Sequence, residues 1–148
     1  MKKVLLIDDD VVVIHMYSAV LKTHGFVVES ATNGAAGLAL LLLSRPDAVL
    51  LDLMMPKING LGVLKSIREK AEFADLPVLV MTAAAIPAMV DLARTAGATR
   101  IFDKANDKPL KVVQALHDLL RTTSDSSLVA ITKSGNPDAV FDQWAGNA

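Results

Sequence analysis

Apolar residues along the chain fall in short blocks punctuated by Gly, Pro and Asp, and each block has strand or helix character. Val4-Leu5-Leu6-Ile7 predicts a first strand that stops at Asp8-Asp9-Asp10. From about Val11 to His24 the pattern is helical, ended by Gly25, which can take the left-handed cap conformation. Phe26 to Ser30 predicts a second strand, and Asn33 can cap a helix over Gly34 to Leu43 that is apolar nearly all round and broken at Ser44-Arg45-Pro46. Ala48 to Leu51 is the third strand, and Gly60 to Glu69 a helix with Leu61, Leu64 and Ile67 at helical spacing. Pro77 opens a fourth strand, and a helix containing Met89, Val90, Leu92 and Ala93 ends at Gly97. Thr99 to Asp103 predicts a fifth strand, and Pro109 stands at the first turn of a last helix with Val113, Leu116 and Leu120 on one face.

Five strands alternating with five helices imply a doubly wound α/β fold: a parallel sheet with right-handed crossovers and helices on both faces. Short strands without polar alternation agree with burial on both sides. In such sheets the binding crevice lies at the carboxyl ends of the strands. Asp8, Asp9 and Asp10, Asp52 after Ala48-Val49-Leu50-Leu51, and Thr82 after Val78-Leu79-Val80-Met81 all fall at those ends.

A length of 148 residues suits one well-cored domain and a tail. The longest apolar block, Ala35 to Leu43, is too short for a membrane span, and the N-terminus lacks the apolar stretch of a signal peptide, so a cytoplasmic protein is expected. The absence of Cys removes disulfides and thiolate metal sites. A net charge of −1 with no basic run longer than two residues leaves no electrostatic footprint for nucleic acid.

Carboxylates gathered in one crevice repel each other, by about 4 kcal/mol per pair at 4 Å and an effective dielectric of about 20. A hard divalent cation removes that cost, and an oxygen-only donor set favours Mg²⁺. An aspartate beside such a metal can accept a phosphoryl group, and a lysine and a hydroxyl around the new oxygens would stabilise the charge in transfer. Taken singly, Asp8 to Asp10 could merely cap the first helix, Thr82 could satisfy local backbone, and Lys104 could be a surface lysine.

The stretches Val4-Leu5-Leu6-Ile7-Asp8-Asp9-Asp10, Leu50-Leu51-Asp52-Leu53-Met54-Met55-Pro56 through Asn59-Gly60, Val80-Met81-Thr82-Ala83 and Ala96-Gly97-Ala98, in this order, resemble a response-regulator receiver domain of two-component signalling over about residues 2 to 121. The resemblance implies a flavodoxin-like sheet of order 2-1-3-4-5 and a receiver domain over 1–121. It implies Asp52 as phosphoacceptor, Asp9 as a direct Mg²⁺ ligand, Asp8 as a ligand through water, and the Met54 backbone carbonyl as a further ligand. Thr82 would bond the phosphoryl group and carry the conformational switch. The family pattern is Lys-Pro after strand five. Here Lys104 precedes Ala105 and Lys108 precedes Pro109. Ungapped counting from Thr82 and Gly97 selects Lys104, with Lys108 second. The position where the family often has an aromatic residue is Ile101, with Phe102 beside it.

The implied function is a phosphoacceptor module that takes phosphate from a sensor histidine kinase or phosphotransfer protein. It would present a partner surface on helix four, strand five and helix five, with a second copy of the chain among the candidate partners. Its chemistry would be confined to its own phosphorylation and slow dephosphorylation, since Met54 and Ala84 offer nothing to orient an attacking water. Two other readings stay open. Val4 to Val12 also fits the Asp-x-Asp opening of haloacid-dehalogenase-type phosphatases, with Asp8 as nucleophile and Asp10 as acid/base. A receiver fold can also serve as an interaction module independent of phosphorylation. From Thr122 the composition becomes that of a linker, yet Asn136-Pro137-Asp138 followed by Val140, Phe141 and Trp144 gives start signals and one apolar face for a short helix over 137–145. A truncated linker that only looks helical is the other reading of 122–148.

Overall fold

The computed structural model describes residues 1–55, 59–83 and 86–124. Five parallel strands, β1 (Lys3–Ile7), β2 (Val27–Ala31), β3 (Ala48–Asp52), β4 (Val78–Thr82) and β5 (Arg100–Asp103), form one sheet in the order β2-β1-β3-β4-β5. Helices α1 (Val11–Thr23), α2 (Gly34–Ser44), α3 (Gly60–Glu69), α4 (Pro87–Thr95) and α5 (Pro109–Ser124) connect and flank them. The doubly wound fold expected from the alternation of elements is the one observed.

The strands divide their side chains between two cores. Val4, Leu6, Leu50, Leu79, Met81 and Phe102 point to the side covered by α1 and α5. Leu5, Ile7, Val49, Leu51, Val78 and Val80 point to the side covered by α2, α3 and α4. Every residue of β3 and β4 is buried, which is why these segments carry no polar alternation. The edge strands β2 and β5 are partly exposed.

Element boundaries moved where hydrogen bonds were claimed by a turn. Phe26 lies after the turn that ends α1, its N–H donating back to the Leu21 carbonyl at 3.0 Å, so the β2 ladder begins with Val27 donating to Lys2 at 2.9 Å. Thr99 uses its hydroxyl to accept from the Val78 N–H at 3.0 Å, and β5 starts one residue later. A single 3-10 turn, Ala71–Phe73, was not expected from the sequence. Helix α5 runs to Ser124, past the boundary expected at 121. The short helix expected over 137–145 lies outside the described residues, as does Ala84.

Candidate functional site

The carboxyl ends of β1, β3 and β4 stand side by side because β1 pairs with β3 and β3 with β4 in register. This brings Asp8, Asp9 and Asp52 together, with carboxylate oxygens within 4.8 Å of one another. Asp8, Asp52 and Thr82 are the buried polar residues of the described chain, whereas Asp9 is exposed.

Each is held by local backbone. Asp10 caps α1, its side chain accepting from the Val12 N–H at 2.9 Å, while its own N–H donates to Asp8 Oδ1 at 2.9 Å. The capping role weighed for this aspartate therefore falls on Asp10, and the turn it makes leaves Asp8 and Asp9 at the crevice. Asp52 ends β3, and its Oδ1 accepts from the Met54 N–H at 3.1 Å. Thr82 ends β4, and its carbonyl accepts from the Lys104 N–H at 2.9 Å, which ties the β4 tip to the residue after β5.

Lys104 reaches into the cluster, its Nζ 2.7 Å from Asp8 Oδ2 and 3.4 Å from Asp52 Oδ2. Lys108 is exposed on the surface. The loop that follows Lys104 is closed by its own polar residues. Asp107 Oδ2 accepts from the Asp103 N–H at 2.8 Å, and Asp103 accepts from the Ala105 N–H at 2.8 Å and from Asn106 Nδ2 at 2.9 Å. These bonds give the segment between β5 and α5 a fixed path without a proline next to Lys104. An Asp-x-x-Asn-Asp string is the sequence signal that announces such a turn.

Burial pushes the Asp52 carboxyl up to about 6; the Met54 N–H and Lys104 oppose this, and Asp8 adds to it. Burial also works against the Lys104 ammonium, but its hydrogen bond to Asp8 and the charge of Asp52 outweigh it and raise its pKa above the ordinary value. Three carboxylates facing one ammonium leave the crevice net negative. A hard divalent cation would balance that charge, and the all-oxygen donor set of Asp8, Asp9 and Asp52 fits one.

Gly60, read from the sequence as a helix start and as the end of the receiver-like stretch that begins at Leu50, also shapes the site. A Cβ there would collide with the Asp52 carbonyl oxygen and lie 2.5 Å from Leu53 Cα. Its N–H donates to the Leu53 carbonyl at 3.0 Å, and Asn59 caps α3 through the Gly62 N–H at 2.9 Å. Only a residue without a side chain lets α3 start this close behind Asp52. On β5, Phe102 is buried toward α1 and α5, while Ile101 is half-buried on the α4 side.

A five-stranded flavodoxin-like module with an acidic crevice, one inserted lysine and a buried threonine is the architecture of a signalling switch. The family model for the response regulator receiver domain matches residues 4–121, and the chain belongs to that family. It is a receiver domain of two-component signalling. The DNA-binding dual master transcriptional regulator RpaA of Synechocystis is 40% identical over 83 residues, covering 56% of this chain and 34% of that protein. The chain thus spans about a third of the length of that curated relative. The chemotaxis protein CheY4 of Vibrio cholerae superposes with a TM-score of 0.75 at 29% identity, covering 80% of this chain and 98% of that one. The Mn²⁺-bound response regulator Rcp1 superposes with a TM-score of 0.70 at 26% identity, covering 79% of this chain and 92% of that one.

The phosphatase reading does not survive. The receiver family model matches residues 4–121, and Asp52, which the phosphatase reading leaves unused, stands in the same crevice as Asp8 and Asp9. Among the described residues no helix is long and apolar enough to cross a membrane.

Proposed function

We propose that Asp52 is the phosphoacceptor of this receiver domain and that a histidine kinase or phosphotransfer protein is the donor. The observation that carries the reading is the convergence of Asp8, Asp9 and Asp52 on one point, with the Lys104 ammonium 3.4 Å from Asp52. In the transfer, an Asp52 oxygen forms a bond to phosphorus while the phosphorus–nitrogen bond of the donor phosphohistidine breaks. The electron pair leaves with the imidazole. Lys104 is positioned to hold charge on the transferring oxygens, and Thr82 offers a hydroxyl at the neighbouring strand end. Asp8, Asp9, Asp52 and the Met54 carbonyl would hold Mg²⁺, and Asp9 is the exposed member. Bound Mg²⁺ would neutralise the carboxylates and the incoming phosphoryl oxygens. That the similar response regulator Rcp1 has an Mn²⁺-bound form supports a divalent cation for this domain.

The product lives long, because exposed Met54, two residues past Asp52, has no group to orient a water. Phosphorylation alters the surface of α4, β5 and α5 for a downstream protein, and the module works in the cytoplasm beside its kinase.

The test is incubation with Mg²⁺ and a small acyl phosphate, followed by intact mass for the wild type, Asp52→Asn and Asp8→Asn. A single adduct of one phosphoryl group that requires Mg²⁺ and disappears in Asp52→Asn is expected. An adduct of the same size on Asp52→Asn would move the acceptor elsewhere, and no adduct on the wild type would favour a phosphorylation-independent module.

A further inference from the structure

Helix α2 has no polar face. From Gly34 to Leu43 no side chain is polar, and a surface helix of a globular domain ordinarily shows charged residues outward. Its inner side is tightly seated: a Cβ on Gly37 would lie 2.6 Å from Ile7 Cδ1, so the helix lies close against β1. The outer side carries Ala35, Ala36, Ala39, Leu42 and Leu43, all exposed, with Leu42 at 46% and Leu43 at 82%. Val27 at the start of β2 is also exposed, and strand alternation puts it on the α2 side, since Val28 packs toward α1 and α5. Contiguous apolar surface of this kind marks a place where something binds.

We propose that residues 137–145 of the same chain pack as a helix across this outer face of α2. Three observations converge on that occupant. The first is shape. The α2 face is small in the middle and bulky at one end, with Ala35, Ala36 and Ala39 leading to Leu42 and Leu43. A second α2, packed antiparallel about a two-fold, would set only Leu42 and Leu43 of the other copy against the alanine end and bring no aromatic side chain. The segment instead supplies Val140, Phe141 and Trp144, spaced i, i+1 and i+4 as Ala35, Ala36 and Ala39 are, and an aromatic side chain buries ~150–250 Å².

The second is path. His117 Nε2 of α5 donates to the His24 carbonyl at 3.2 Å and the ring stacks on Phe26 at 5.0 Å between centroids, so the second half of α5 runs beside the start of β2. The chain leaves α5 at that end of the sheet. Lys3 Nζ donates to the Ser44 carbonyl at 3.3 Å, so the foot of α2 is at the same end, and Val27 pairs with Lys3 in the ladder. Residues 125–136 can extend about 40 Å, more than the diameter of roughly 35 Å for a domain of this size.

The third is charge and cost. Arg45, which pairs with Glu72 at 2.8 Å but keeps most of its side chain exposed, and Lys3, which pairs with Glu29 at 3.3 Å, stand at the foot of α2, while Asp138 and Asp142 are the charges of the segment. A helix this short is marginal alone and needs an apolar face to lie on.

The chain has a single Trp, so Trp144 fluorescence reads the contact directly. Emission and acrylamide quenching are measured on the full chain as a function of concentration, for the wild type and for Leu42→Gln/Leu43→Gln. Both leucines are exposed, so the domain folds in the variant, which circular dichroism checks. We expect blue-shifted emission and at least twofold protection from acrylamide in the wild type, unchanged by dilution of a monomer, and loss of both in the variant. Solvent-like emission in the wild type would overturn the proposal. So would protection that the variant retains, and protection lost on dilution together with a dimer would assign the face to a second copy.

Discussion

Replacing Asp52 by Asn should make the metal-free domain more stable at pH 8 and leave it nearly unchanged at pH 4. The Asp52 carboxyl is pushed from 3.8 to about 6 by burial first and by Asp8 as well. Between about pH 4 and 6 the folded state therefore binds more protons than the unfolded chain. The stabilisation from a protonated Asp52 is complete below the unfolded value and is lost as pH rises through the folded value. At about 1.4 kcal/mol per unit, the loss across that window is about 3 kcal/mol. Asn carries no charge at either pH and keeps an oxygen for the Met54 N–H that Asp52 accepts at 3.1 Å. The difference in stability between the two chains should thus grow from near zero at pH 4 to about 3 kcal/mol at pH 8, since the remaining carboxylates titrate in both. In urea, with a slope of about 2 kcal/mol per molar, the midpoints separate by about 1.5 M. Equilibrium unfolding in a chelator at the two pH values measures this directly. An equal difference at both, or an Asn chain less stable at pH 8, would refute the claim that Asp52 is held as a costly buried charge.

Three further substitutions probe the frame around it. Lys104→Met removes a cation 3.4 Å from Asp52, an attraction of about 5 kcal/mol at an effective dielectric of 20. The pH at which Asp52 becomes reactive toward an acyl phosphate should then move up by about one unit or more, and an unmoved pH profile of adduct formation would argue against the contact. Gly60→Ala forces its Cβ into the Asp52 carbonyl, so it should cost about 3 kcal/mol in thermal or urea unfolding and slow adduct formation. Normal adduct formation in a stable Gly60→Ala chain would contradict the close approach. Arg68→Ala removes the donors that reach the Gly97 carbonyl at 2.8 and 3.0 Å and the Phe73 carbonyl at 2.8 Å. It should destabilise by about 2–3 kcal/mol while leaving Asp52 chemistry intact, since none of these contacts touches the crevice.

The crevice was legible because its physics is one-dimensional. A short apolar run must end where the sheet ends, so a carboxylate directly after such a run is at the rim, and parallel order puts three rims together. The two faces of the sheet followed from the same alternation, as the opposite burial of Ile101 and Phe102 illustrates. What escaped the sequence depends on contacts between segments far apart or on competition for a hydrogen bond. Gly60 looks like any helix-opening glycine until the Asp52 backbone is placed behind it. Phe26 has every strand propensity, yet its N–H is taken by the end of α1. Helix α2 read as apolar nearly all round, which suggests a buried helix. The domain encloses only one side of it.

These contacts also say why occupation of the crevice should be felt elsewhere. Asp8 and Asp52 share one ammonium, so any charge added at Asp52 competes with Asp8 for Lys104. The Lys104 N–H is bonded to the Thr82 carbonyl, and the loop beyond it is closed on itself by Asp103 and Asp107. A pull on Lys104 is therefore directed at the tip of β4 and at a loop that the Lys111–Asp107 pair ties to α5 at 2.8 Å. Ile101 lies on the α4 side and is small enough to shift without opening a large cavity, whereas Phe102 is locked among α1 and α5. On the proposed roles, the signal leaves the site through backbone bonds at Thr82 and Lys104 more than through rotation of an aromatic side chain. The β5–α5 loop, where this chain replaces a proline with a self-bonded turn, is then the element whose stiffness sets the response.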